Sequence, residues 1–366
     1  MVHRFGVSGI FMLIFLITAA TLSVAAVWQG RVEANPLKLT PVIKGEWTPL
    51  YEKLFNKNLI TYETSKNSWG LINYVTFHEG NEGVLIGQDN WLFTKEEFDH
   101  QPAQKEKILK NLDYVQSVHN YLKAKNIDLV VVPVPSKARI YSEKLGRYEF
   151  PAYKKEIYSE FLKDLNSRKI KVVDILTPMQ SGRNSKNMFL QTDTHWTPDG
   201  AQLTAVTVAG YLKRKSISFD KAVYKTSLDK NEEHKGDLLR YVPVGDSFAS
   251  ENLPVDTLPL FQTVEEGAED ATAESLFSEK SPAVTLVGTS YSANPKWNFA
   301  GFLKESMQTD ILNAADEGLG PFETMDKYLN NEAFKETPPK LVIWEIPERY
   351  LSFDYNLKTD FLSEGV

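Results

Sequence analysis

The chain has 366 residues, no cysteine, and 41 basic against 48 acidic side chains, a formal charge of -7. The absence of thiols excludes disulfide frameworks, cysteine-ligated zinc or iron–sulfur centres and a cysteine nucleophile. With 42% hydrophobic and 12% aromatic residues the chain can bury a large core, which excludes a mainly disordered state. Its mild acidity offers no phosphate-neutralising stripe of the kind nucleic acid requires.

The chain opens on an apolar segment. After His3 and Arg4, no charged side chain occurs from Phe5 to Gly30. As a helix this run would reach about 39 Å, against about 30 Å of hydrocarbon in a bilayer. Residues 1–30 are expected to form a signal anchor, with Ser23-Val24-Ala25 keeping a cleaved signal peptide open as the alternative. Either way Arg4 stays inside and the folded part is exported, in a bacterium to the periplasmic side of the inner membrane. Residues 31–80 carry Pro36, Pro41 and Pro49 without a clean period and read as a connecting segment with some helix.

Short apolar runs of strand type follow at Val84 to Ile86, Trp91 to Phe93, Leu129 to Val134, Val172 to Ile175, Val284 to Val287 and Leu341 to Ile346. The last four are nearly continuous Val, Ile and Leu, as in strands buried on both faces. Helical patterns lie between them at Lys105 to Lys125, Tyr153 to Arg168, Gly200 to Lys215 and Trp297 to Ala315. Alternation of the two predicts an α/β layered fold with a mostly parallel sheet. The core domain is expected at 81–355, with an acidic, weakly periodic excursion at about 224–280 and a tail at 356–366.

In open parallel sheets ligands bind beyond the carboxyl ends of strands, and two loops there carry chemistry. In Thr192-Asp193-Thr194-His195-Trp196-Thr197-Pro198-Asp199-Gly200, Thr197 reads as an N-cap and Pro198 as the first helical residue. Asp193 and His195 then sit in the entering loop, one residue apart, so both side chains can face one side. A carboxylate there can hold one ring nitrogen of a histidine base while the other faces a reactant. The six histidines offer no HExxH or comparable metal spacing, and neither metal nor cofactor is expected.

The second loop, Leu286-Val287-Gly288-Thr289-Ser290-Tyr291-Ser292, places Ser290 in a glycine-led turn after a buried strand, where backbone N–H groups can face an oxyanion. Hydroxyl, imidazole and carboxylate together are the parts of an acyl-transfer triad. A rival, Gly245-Asp246-Ser247-Phe248, matches the Gly-Asp-Ser signature of esterases. Pro243 breaks the strand such a turn needs, and Ala249 to Pro254 is no helix start, so Ser290 is preferred over Ser247.

These two loops, with Gly87-Gln88-Asp89-Asn90-Trp91-Leu92-Phe93 and Pro133-Val134-Pro135-Ser136-Lys137-Ala138-Arg139, resemble the alginate O-acetyltransferases of the AlgJ/AlgX type. The likeness runs from about Val84 to Leu351. It implies an SGNH-hydrolase-like three-layer fold in which the Asp-x-His loop precedes the nucleophile, a circularly permuted motif order. It also implies Ser290 as nucleophile, His195 as base and Asp193 as its orienter. Thr289 departs from the SGNH pattern, which usually has Asp there. The short C-terminus after Glu345-Ile346-Pro347-Glu348-Arg349-Tyr350-Leu351 leaves no room for the carbohydrate-binding module of the AlgX branch, so the chain is nearer the anchored AlgJ branch.

The resemblance implies an acetyl-serine intermediate, a polysaccharide acceptor such as alginate, acetyl supplied by a membrane-bound O-acyltransferase, and other acetylation and export subunits as partners. A carbohydrate acetylesterase and a non-catalytic anchored scaffold remain the alternatives. Asn294 and Tyr291 are further candidates for the oxyanion or substrate, and Lys137 and Arg139, with Ser136, for binding a carboxylate or capping the next helix. Trp196 and Trp297 flank the two loops and are expected to serve packing ahead of sugar stacking. Glu345 and Arg349 are expected to pair in support of the site, and Phe77-His78-Glu79-Gly80 to form a turn.

Overall fold

The computed structural model describes residues 2–30, 61–217, 219–267 and 282–357, with isolated positions between 31 and 60. The first part of the expected connecting segment, the end of the excursion and most of the C-terminal tail lie outside the described residues. The chain divides into two compact units, Met1–Asn81 with Val242–Asn252, and Glu82–Tyr241 with Leu253–Val366. The smaller holds the helices Val2–Trp28, Tyr62–Phe77 and Asp246–Asn252. Within it, Tyr74 and Phe248 meet edge to face at 5.8 Å, and His78 caps the Tyr62–Phe77 helix in the left-handed conformation. Among the described residues no helix is long and apolar enough to cross a membrane, so the anchor expectation rests on sequence.

The larger unit is built on a five-stranded sheet. In chain order its strands comprise β1 (Val84–Ile86) and β2 (Leu92–Thr94), β3 (Asp128–Val134), β4 (Lys171–Val172), β5 (Tyr224–His234), β6 (Asp256–Glu265), β7 (Val284–Val287), β8 (Ile311–Asn313) and β9 (Leu341–Pro347). β1 and β2 form an antiparallel pair, as do β5 and β6. The central sheet runs β4-β3-β9-β7-β8 with every neighbour parallel.

Strand periodicity divides the core between two faces. Val130, Val132 and Val134 of β3, with Leu341 and Ile343 of β9, pack with Val208 and Leu212 of the Pro198–Arg214 helix and Phe302 of the Phe299–Met307 helix. Leu129 and Val131, with Val342 and Trp344, pack on the opposite face against Val115 and Leu122 of the Gln104–Ala124 helix, Phe161 of Ile157–Ser167 and Phe322 of Gly320–Leu329. The result is the expected three-layer α/β fold with a parallel sheet.

Three local readings differ. The Val172 to Ile175 run is in strand register only through Lys171–Val172, with Val173 N–H still bonded to the Val131 carbonyl at 3.0 Å; Asp174 then turns the chain out of the sheet, its Oδ1 accepting the Leu176 N–H at 2.9 Å. The helix expected from Trp297 to Ala315 is instead Phe299–Met307 followed by β8; Gln308 ends it at φ 51°. The weakly periodic excursion contains the β5–β6 ribbon, and a seven-residue helix begins at Asp246 where none was expected.

Candidate active site

β7 ends at Val287, and Gly288 and Thr289 carry the chain into the one-turn helix Ser290–Ala293. A Cβ on Gly288 would lie 2.5 Å from Glu345 Oε2, so only glycine lets this turn close onto β9. Glu345, fully buried, accepts the Thr289 N–H at 2.7 Å and the hydroxyls of Thr289 and Ser292 at 3.1 Å each. Burial pushes its carboxyl up to about 7, and the bonds from Thr289 and Ser292 pull against that rise.

The second loop is pinched at its base. Phe189 and Trp196 form an antiparallel bridge, and Leu190 N–H reaches the His195 carbonyl at 3.1 Å. Thr197 caps the Pro198–Arg214 helix by accepting the Gly200 N–H at 3.1 Å, as its sequence signature predicts. The six residues enclosed between Phe189 and Trp196 include Asp193 and His195.

The two loops meet in one chain of hydrogen bonds. His195 Nε2 lies 2.7 Å from Ser290 Oγ, and His195 Nδ1 lies 2.6 Å from Asp193 Oδ1. An ionised carboxylate can only accept, so Nδ1 carries the proton and Nε2 is left to accept from the serine hydroxyl. Asp193 is almost fully buried. Burial opposes its charge, but hydrogen bonds from His195 and His234 outweigh that and hold its carboxyl well below the usual range. Its Oδ1 also accepts the His195 N–H at 2.9 Å, and its Oδ2 accepts the Asp237 N–H at 3.0 Å.

An outer set of contacts holds the Asp193 loop. Asp256 accepts the N–H groups of Gln191 and Thr192 at 2.8 and 2.9 Å. Asp237 takes the Thr194 N–H at 2.9 Å and its hydroxyl at 2.7 Å. Gly236 approaches so closely that a Cβ would lie 2.1 Å from the Thr192 carbonyl oxygen. Asp193, His195 and Asp237 bring ligand atoms within 4.8 Å of one another, yet both carboxylates and the imidazole are already engaged in the bonds above.

The family described as "SGNH hydrolase-like domain, acetyltransferase AlgX" matches residues 84–348. This chain belongs to that family. "Probable alginate O-acetylase AlgJ" of Azotobacter vinelandii is 36% identical over 342 residues, covering 93% of this chain and 88% of its own. "Alginate biosynthesis protein AlgX" of Pseudomonas syringae pv. tomato is 32% identical over 296 residues, covering 76% and 58%. The solved O-acetyltransferase domain of Pseudomonas putida AlgJ superposes with a TM-score of 0.70 at 33% identity, covering 77% of this chain and 98% of that one. As a member of this acetyltransferase family, the chain is an O-acetyltransferase with the SGNH-like fold.

Three of the side chains expected at the substrate are turned inward. Lys137 is buried, and its ammonium donates to the carbonyls of Leu92, Gln191 and Asp193 at 2.6, 3.0 and 2.9 Å. All three of its protons are used, so it braces the Asp193 loop and has none for a substrate carboxylate. Burial lowers its pKa to about 8. Arg139 is likewise spent on Glu348 and on the carbonyls of Lys154 and Lys155, and Ser136 N–H also goes to Glu348, at 2.9 Å. Tyr291 is buried, its hydroxyl donating to the Thr194 carbonyl at 2.6 Å and facing Arg349 Nη1 at 3.4 Å. It joins the two loops and does not face a substrate.

Asn294 keeps its place beside the nucleophile turn. Its side-chain oxygen accepts the Lys296 N–H at 3.0 Å, which leaves the N–H2 end for a ligand. Trp196 and Trp297 are both buried and serve packing, not sugar stacking. Arg349 contacts Tyr350 and Glu96, while Glu345 serves the Ser290 turn, so the two do not form the expected pair. Ser247 lies in the Asp246–Asn252 helix of the smaller unit, whereas Ser290, His195 and Asp193 share the larger.

His234, Asp237 and Asp256 escaped the sequence reading. All three belong to the polar excursion, where no apolar period marks them. The run His234-Lys235-Gly236-Asp237, with a glycine between two chemistry-bearing residues, was the one local signal.

Proposed function

We propose that this protein transfers acetyl groups to hydroxyls of an exported polysaccharide, alginate being the acceptor its relatives' names indicate, through an acetyl-serine at Ser290. The observation that carries the proposal is the continuous chain Ser290 Oγ–His195 Nε2 and His195 Nδ1–Asp193 Oδ1 at 2.7 and 2.6 Å.

In the first half-reaction Oγ attacks the acetyl carbonyl as His195 Nε2 takes the hydroxyl proton, and Asp193 balances the imidazolium. The N–H of Ser290 opens its helical turn and has no intrahelical acceptor. With the Asn294 amide it supplies donors for the tetrahedral oxyanion. Collapse breaks the bond from carbonyl carbon to the donor's leaving group, which takes the proton from His195. In the second half-reaction a sugar hydroxyl loses its proton to His195, attacks the acetyl carbon and releases Ser290, to which the proton returns. A membrane-bound O-acyltransferase is the proposed source of acetyl, and other exopolysaccharide acetylation subunits the proposed partners.

The proposed location is the periplasmic face of the inner membrane, held by residues 1–30. The uncharged run from Phe5 to Gly30 supports it. The test is acetylation of a deacetylated mannuronate oligosaccharide by the full chain in detergent, with an activated acetyl ester as donor and product followed by mass. Acetylated oligosaccharide is expected from wild type and not from Ser290→Ala; free acetate alone would make the protein an esterase.

A further inference from the structure

Asp193 holds one side chain more than an acyl-transfer triad uses. Its Oδ2, the oxygen not bound by His195, accepts the Nε2–H of His234 at 2.9 Å. His234 ends β5, opposite Asp256 in the ribbon register, and its side chain is 13% exposed. The ring meets Trp297 edge-on, centroids 5.6 Å apart at 90°, while the same indole lies along His195. Two imidazoles therefore share one carboxylate and one aromatic neighbour, and only one of them reaches Ser290.

We infer that His234 is a positioning residue of the acetyl-transfer site, which aims the Asp193 carboxylate and makes the basicity of His195 depend on its own protonation. The inference rests on the reading of Ser290, His195 and Asp193 as the triad. A neutral His234 donates one hydrogen bond and leaves most of the carboxylate charge for the His195 imidazolium that forms when Ser290 is deprotonated. A protonated His234 places a second cation on the same carboxylate, and His195 becomes the weaker base.

The charged groups around His234 are Asp193 on the His195 loop, Asp237 three residues on, Asp256 across the ribbon, and the Lys296–Glu232 pair at 2.8 Å beside Trp297. Lys137, on the far side of the loop, binds the Asp193 carbonyl.

The experiment compares wild type, His234→Gln, His234→Ala and Ser290→Ala, each as the full chain in detergent. It follows kcat and KM for hydrolysis of a chromogenic phenyl acetate from about pH 5 to about pH 9. His234→Ala is expected to lower kcat on the order of ten- to a hundredfold with little change in KM, as loss of a partner behind an active group commonly does. His234→Gln keeps an N–H donor within reach and should restore most of kcat. Its acid limb should differ from that of wild type, because a glutamine cannot take up the proton that His234 can. If His234→Ala folds poorly, the His234→Gln profile decides. Wild-type kcat and an unaltered acid limb in His234→Gln, with Ser290→Ala inactive, would overturn this inference and leave the triad standing. An active Ser290→Ala would overturn both.

Discussion

Trp297 lies nearly parallel to His195, ring centroids 5.3 Å apart and planes 24° from alignment. Its indole N–H is bonded to the Ser290 carbonyl at 3.1 Å, so one buried side chain touches both ends of the bond between base and nucleophile. An aromatic face beside an imidazole also favours the charged ring that forms during transfer. Trp297→Phe keeps the face and loses the N–H; it should cost about 0.5–1.5 kcal/mol of stability and leave most turnover. Trp297→Ala should cost roughly 3–5 kcal/mol and lower kcat further. Urea midpoints with ester turnover test this, and wild-type kcat in Trp297→Ala would contradict it.

Glu345 anchors the nucleophile turn from β9, and its carboxyl is raised by burial to about 7. The folded chain therefore holds a proton there, between about pH 4.5 and about 7, that the unfolded chain has released. The stabilisation from this group is therefore full below the lower value and is lost as pH rises to the upper, by up to roughly 3 kcal/mol. Unfolding free energies of wild type and Glu345→Gln across that window should diverge as pH rises, with the variant flatter. Parallel curves would mean that Glu345 is not protonated in the fold.

Lys137 provides a test of bracing against substrate binding. Lys137→Met strips donors from three carbonyls, two of them in the loop that carries Asp193, and should destabilise by roughly 3–5 kcal/mol, as loss of a buried charged partner does. Thermal unfolding and Michaelis kinetics separate the two roles. A variant of full stability whose only change is a raised KM would return Lys137 to the substrate.

How far the sequence could be read depended on burial. β7, β9 and β3 are continuous apolar strands covered on both faces, so their runs stood out, and with them the loops at their carboxyl ends. Thr197 and Pro198 marked a helix start by local chemistry alone, which located His195. β8 stayed hidden because Gln308 ends the preceding helix in a left-handed conformation without a glycine to announce it. The β5–β6 ribbon stayed hidden for a different reason. Apart from Tyr224 most of β5 is exposed or half-exposed, so no alternating pattern records it, and His234 was lost with it. Lys137, Arg139 and Tyr291 are legible as site neighbours, but the partners that claim their protons are not. Sequence spacing places a side chain near a loop and does not say which carbonyl or carboxylate will claim its protons.

The most direct measurement is intact mass, with peptide mapping, of the full chain quenched during turnover of an activated acetyl ester. One acetyl group is expected on the peptide containing Ser290 in wild type, none in Ser290→Ala, and wild-type labelling in Ser247→Ala. Turnover in Ser290→Ala and His195→Ala is predicted to fall at least about a thousandfold. Acetyl on Ser247, or undiminished turnover in Ser290→Ala, would contradict the assignment of the nucleophile.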